Sequence, residues 1–148
     1  MLALGAAIGR VMTEQDIVSL VGPLGAGKTS LARGILSGLG YQGEVPSPTF
    51  SILQYYHPPE TRFPVVHADF YRLEGAGELE ELGLDPGGED GGLIAEWAEN
   101  IGGVAGVQTL ELRIAATDAS ARCIKGRPGA NWTERWTGIA EWACTARQ

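Results

Sequence analysis

Lysine is almost missing from this chain, with two among 148 residues. Eleven basic residues stand against 18 acidic ones, for a net charge of −7. That leaves no basic stripe to grip a nucleic-acid backbone, so any RNA role has to pass through another protein. Cysteine is as scarce. Cys123 and Cys144 fall in no CxxC or metal-ligand spacing, and with His57 and His67 they make no zinc site. Two reduced thiols in a cytoplasmic protein are the expectation. No apolar run approaches the ~18 residues of a membrane span, so no membrane partner is expected. The opening MLALGAAIGR is apolar but carries neither a basic leader nor a cleavage pattern, and it does not read as a signal peptide.

Glycine, by contrast, is abundant at 22 residues, which forecasts tight turns and backbone-lined loops. The length suits a single domain over residues 1–148. Leu4, Ile8, Val11 and Met12 repeat at helical spacing. Ile17, Val18, Leu20 and Val21 form an apolar run without alternation, as a strand buried on both faces does. Leu31, Ile35, Leu36 and Leu39 share one helical face that Gly40 ends. Gly34 and Gly38 inside that helix cost ~1 kcal/mol each, so packing must hold it.

A strand-like FSILQYY follows a proline-rich stretch. Residues 64–69 and 93–96 are further apolar runs, each ending in an acid, and a short helix is expected around 78–82. Leu110, Leu112 and Ile114 alternate with polar residues, and a second strand is expected at 121–125. Trp132, Trp136, Ile139, Ala140 and Ala143 mark one face of a last helix, with Asn131 as its cap. The order predicts an α/β layered fold, with a mainly parallel central sheet and antiparallel C-terminal strands.

Gly22-Pro23-Leu24-Gly25-Ala26-Gly27-Lys28-Thr29 matches G-x-x-x-x-G-K-[ST] between the first strand and its helix. Glycines let backbone N–H groups curl around phosphate oxygens, and the helix adds its positive end. Gly25, Ala26, Gly27, Lys28, Thr29 and Ser30 are the candidate nucleotide-binding residues. Lys28 can bridge terminal phosphates, and Thr29 can place a hydroxyl on Mg²⁺. Asp69 and Glu96 close two apolar runs. In a parallel sheet they would lie at the edge where ligands bind, and both can converge on Mg²⁺ or on the attacking water.

Missing parts narrow the class. No NKxD base-reading motif supports a GTPase, and Asp85-Pro86-Gly87-Gly88 matches DxxG without a preceding strand. Leu36-Ser37-Gly38-Leu39-Gly40 lies in the first helix after the loop and lacks the rest of an ABC signature. A small-molecule kinase would need a lid and an acceptor pocket, for which the 41–61 segment is short.

Together, residues 22–29, Ser47-Pro48-Thr49-Phe50, His67-Ala68-Asp69-Phe70-Tyr71-Arg72-Leu73, 78–84 and Glu96-Trp97 resemble the ordered motifs of the TsaE (YjeE) family. That family comprises bacterial ATPases needed for threonylcarbamoyladenosine in tRNA. The resemblance covers about residues 2–115. It implies a three-layer P-loop NTPase-like fold, ATP/ADP and Mg²⁺ as cofactors, a cytoplasmic location, and TsaD and TsaB as partners, with tRNA met only indirectly. It further implies Thr29 and Glu96 as metal ligands, Asp69 and Glu96 as catalytic residues, and Ser47 and Thr49 in a switch-like loop. Trp97 packs beside the site on this reading, Arg72 sits in a surface ion pair, and Arg122 is a candidate to face the base. A nucleotide-gated binding module with negligible turnover and a small-molecule kinase are the competing functions.

Overall fold

The computed structural model describes residues 1–46, 53–84, 88–104, 106–116 and 122–146. Helix α1 (Leu2–Val11) leads into strand β1 (Ile17–Val21), and helix α2 (Lys28–Gly38) follows the glycine loop. Strands β2 (Leu53–Tyr56) and β3 (Val65–Asp69), helix α3 (Ala76–Glu81) and strand β4 (Gly92–Glu96) come next. A 3-10 turn (Ala98–Ile101) leads to β5 (Thr109–Ala116) and β6 (Arg122–Pro128), and α4 (Thr133–Ala146) closes the order.

The six strands form one sheet in the order β2-β3-β4-β1-β5-β6. Strands β3, β4, β1 and β5 run parallel, whereas β2 and β6 are antiparallel edges. All five residues of β3 and of β4 are buried, as parallel strands covered on both faces require. β5 alternates instead, with Leu110, Leu112 and Ile114 inward and Glu111 and Arg113 outward.

Two cores flank the sheet. One lies beneath α1, α2 and α4 and holds Ile8, Leu20, Leu31, Ile35, Leu110 and Trp132, all fully buried. The other lies on the opposite face, where Val66, Phe70, Leu93, Ala98 and Ile101 meet Leu82 and Leu84 just past α3. The helix glycines find their reason in the first core. A Cβ on Gly34 would stand 2.5 Å from the Leu2 carbonyl oxygen and 2.9 Å from the Gly5 Cα. Gly9 and Gly38 oppose each other one turn further on, so α1 and α2 pack backbone against backbone. Arg62 then ties off both helices, donating from Nη2 to the Gly9 carbonyl (2.8 Å) and from Nη1 to the Gly38 carbonyl (2.8 Å).

Two boundaries differ from expectation. β6 extends past 125 to Pro128, because it is an edge strand where the missing N–H of proline does no harm. Asn131 does not cap the last helix from outside. It lies in a 3-10 turn (Ala130–Trp132) that precedes α4, and its carbonyl accepts from Arg135 Nη2 at 2.8 Å. Trp132 fixes that turn by burying its ring completely and donating Nε1–H to the Gln108 carbonyl at 2.9 Å. Trp136 is partly buried against the same core.

Candidate functional site

The parallel strands deliver Val21, Asp69 and Glu96 to one edge of the sheet, with Asp69 beside Glu96 in register. The loop after β1 turns there through Gly25 (φ 79°) and Gly27 (φ 105°), left-handed conformations that a Cβ would strain. α2 begins at the next residue, so its N-terminal N–H groups face the same edge. Residues 24–30 together with Asp69, Glu96 and Trp97 line a cleft of about 360 Å³.

Lys28 is 5% exposed, yet its ammonium is well supplied with partners. Nζ donates to the Gly22 carbonyl (2.6 Å) and the Pro23 carbonyl (2.9 Å), and lies 4.1 Å from the centroid of the Trp97 ring. Burial lowers its pKa below the ordinary 10.5, while the negative charges of Glu96, Glu99 and Asp69 pull it back up. Thr29 Oγ1 donates to Glu96 Oε1 at 2.9 Å, joining the first turn of α2 to the tip of β4 across 67 residues. The other carboxylate oxygen of Glu96 lies 2.6 Å from His67 Nε2. Asp69 is 5% exposed, and its Oδ1 accepts the Tyr71 N–H at 2.9 Å.

Trp97 is the one non-glycine residue with positive φ (62°) among the described residues. Such a backbone costs on the order of 1–3 kcal/mol and persists where the surroundings over-determine it. Here it sets the indole under the Lys28 ammonium and 5.0 Å from the Tyr71 ring. Asn100 braces the rim, donating from Nδ2 to the Tyr71 carbonyl at 3.0 Å.

The structure therefore gathers Gly25, Ala26, Gly27, Lys28, Thr29, Ser30, Asp69 and Glu96 around one cleft. Arg122 reaches the loop as well, donating from Nε to the Ala26 carbonyl at 3.3 Å. Ser47 and Thr49 lie outside the described residues. Arg72 is exposed, whereas Phe70 is fully buried in the second core. His67 is the residue that sequence reasoning passed over. Its signal was its place two residues before Asp69, which puts both side chains on one face of β3.

A family model described as "Threonylcarbamoyl adenosine biosynthesis protein TsaE" matches residues 1–124. The chain belongs to the TsaE family. That family serves tRNA threonylcarbamoyladenosine biosynthesis. The chain is 43% identical over 100 residues to the TsaE protein of Streptomyces coelicolor, covering 67% of this chain and 68% of that one. It is 37% identical over 120 residues to the TsaE protein of Mycobacterium tuberculosis H37Rv, covering 76% and 71%. A crystal structure of Bacillus subtilis YdiB superposes with a TM-score of 0.75 over 96% of this chain and 88% of that one. At 24% identity, that likeness concerns the fold. Among the described residues no helix is long and apolar enough to cross a membrane.

Proposed function

We propose that this TsaE-family chain is one P-loop ATPase domain that hydrolyses ATP with Mg²⁺ in company with TsaD and TsaB. The observation that carries this reading is the 2.9 Å bond between Thr29 and Glu96, formed inside the cleft that Lys28 and Asp69 also line. A hydroxyl and a carboxylate at that separation are hard oxygen donors suited to Mg²⁺. Thr29 and Glu96 would hold Mg²⁺ there, and the ion would supply charge neutralisation for the terminal phosphates.

The chain's own residues do the rest. Backbone N–H groups of Gly25 to Ser30 bind phosphate oxygens, and Lys28 exchanges the Gly22 and Pro23 carbonyls for terminal phosphate oxygens. Thr29 and Glu96 hold the metal. Asp69, beside Glu96 in register, orients the water that attacks the γ-phosphorus. Trp97 shields the ammonium from solvent on its ring side.

The partner-facing surface is proposed to combine the 41–61 segment with the 70–73 stretch beside the cleft. Tyr55 and Tyr71 are about half exposed, at 47% and 48%, whereas the Phe70 side chain of that stretch is buried. With a net charge of −7, the chain reaches tRNA only through these partners. The test is steady-state phosphate release by the chain alone and with TsaD and TsaB, alongside tRNA gel shifts. Slow release alone and faster release in the mixture are expected, with no shift by the isolated chain. Negligible turnover in the full mixture would favour the nucleotide-gated module instead. Transfer of label from ATP to a small metabolite would mark a kinase.

A further inference from the structure

His67 stands in the middle of a strand whose five residues are all buried, and it is itself 0% exposed. A polar ring at such a place needs a partner, and the partner is Glu96, with Nε2 at 2.6 Å from Oε2. Glu96 spends its other oxygen on Thr29. Nδ1 is buried and has no hydrogen-bond partner among the described residues. A carboxylate accepts and cannot donate, so the ring proton belongs on Nε2. A proton on Nδ1 would be a buried N–H without an acceptor.

We propose that His67 is a positioning residue, its Nε2–H clamping Oε2 of Glu96 so that Oε1 is presented beside Thr29 to the metal. The assignment rests on the ATP-site reading above and adds a role that the phosphate loop and the two acids do not supply. Without the clamp only the Thr29 bond holds the Glu96 carboxylate, and the pair loses one of the two contacts that fix its geometry. Partners one step behind a metal ligand are typically worth about 10–100-fold in metal affinity.

Two measurements on the full chain test this. The first is the histidine ring ¹⁵N–¹H correlation spectrum, recorded without nucleotide or metal. An Nε2–H tautomer with unprotonated Nδ1 is expected for His67; an Nδ1–H tautomer or a fast mixture of the two would overturn the clamp. The second is fluorescent ADP titrated with and without Mg²⁺ in wild type, His67→Leu and His67→Gln. His67→Leu should leave metal-free ADP affinity unchanged and raise the Mg²⁺ concentration needed for the half-maximal effect about 10–100-fold. The amide of His67→Gln reaches the Nε2 position and should restore most of that loss. Equal Mg²⁺ response in folded His67→Leu, or a Gln variant no better than Leu, would overturn the positioning role. Should His67→Leu not fold, the Gln variant and the tautomer still decide. A wild type indifferent to Mg²⁺ would refute the metal reading of the site itself, while the tautomer, read without either ligand, still decides the bond to Glu96.

Discussion

Two glycine-to-alanine changes in this protein should move stability in opposite directions, although the chemical change is the same. In Gly34→Ala the new methyl would sit 2.5 Å from the Leu2 carbonyl oxygen and 2.9 Å from the Gly5 Cα. Both obstacles are backbone, so no rotamer change relieves them. Restoring ordinary contact would part α1 from α2 by about 1 Å. Overpacking of this kind costs about 1–3 kcal/mol, against a gain of about 1 kcal/mol in helix propensity. Because the clash is rigid, the upper part of that range applies, and the net loss should be about 2 kcal/mol. That corresponds to a fall in Tm of about 4–8 °C for a domain of this size. In Gly138→Ala, at an exposed position of α4, the methyl meets nothing within 4 Å among the described residues. Propensity alone then acts, and the variant should gain about 0.5–1 kcal/mol. Urea unfolding followed by circular dichroism reads both, as shifts in midpoint at unchanged slope. A Gly34→Ala protein as stable as wild type, measured beside a stabilised Gly138→Ala, would refute the backbone-on-backbone account of the helix pair.

Lys28→Ala should weaken ATP and ADP binding at least tenfold while leaving the circular dichroism spectrum unchanged, since a charge-assisted bond to phosphate is worth about 1.5–3 kcal/mol. Asp69→Asn is expected to retain ADP affinity and lose partner-dependent phosphate release, whereas Glu96→Gln loses the Mg²⁺ response of ADP binding; normal turnover by both would misplace the site. Glu96→Gln should also lower the Lys28 pKa further, because Glu96 is the foremost of the charges raising it. An NMR titration of Lys28 in wild type and variant reads this directly. The sign follows: the unfolded chain keeps this proton to higher pH, so the contribution of Lys28 to stability rises with pH between its lowered folded value and 10.5. Finally, hydrogen exchange of residues 44–51 should be slower with an ATP analogue than with ADP if Ser47 and Thr49 serve as the switch.

What was legible in the sequence follows from locality. The loop motif sits between a strand and a helix, so the backbone around Lys28 and Thr29 is set by neighbours in the chain. Asp69 and Glu96 were legible because each ends a largely apolar run, and parallel strands end on one edge. The clamp from His67 was not, since a histidine inside an apolar run names no partner until β4 is known to lie beside β3. The backbone of Trp97 was equally hidden, because left-handed φ in a tryptophan contradicts its local preference and is imposed by packing. The extent of β6 failed to show for a related reason. Gly126 and Pro128 argue against a strand locally, yet an edge tolerates proline, and Gly126 makes room for the Trp136 ring of α4.

The same helix carries the fold and the candidate chemistry, and this couples them. Lys28 and Thr29 occupy the first turn of α2, while Gly34 and Gly38 in its later turns lie against α1. Gly34 lies six residue steps of α-helix beyond Lys28, about 9 Å. A rigid helix passes a displacement at one end to the other, and the Thr29–Glu96 bond at 2.9 Å tolerates only a few tenths of an ångström before it ceases to be one. Glycine in α2 is therefore needed twice over. It allows the close approach that fills the core, and it thereby sets the distance from the phosphate-loop helix to the acid at the end of β4. A sequence that optimised α2 for helix propensity alone, with alanine at both positions, would hold a better isolated helix in a place where Thr29 no longer meets Glu96.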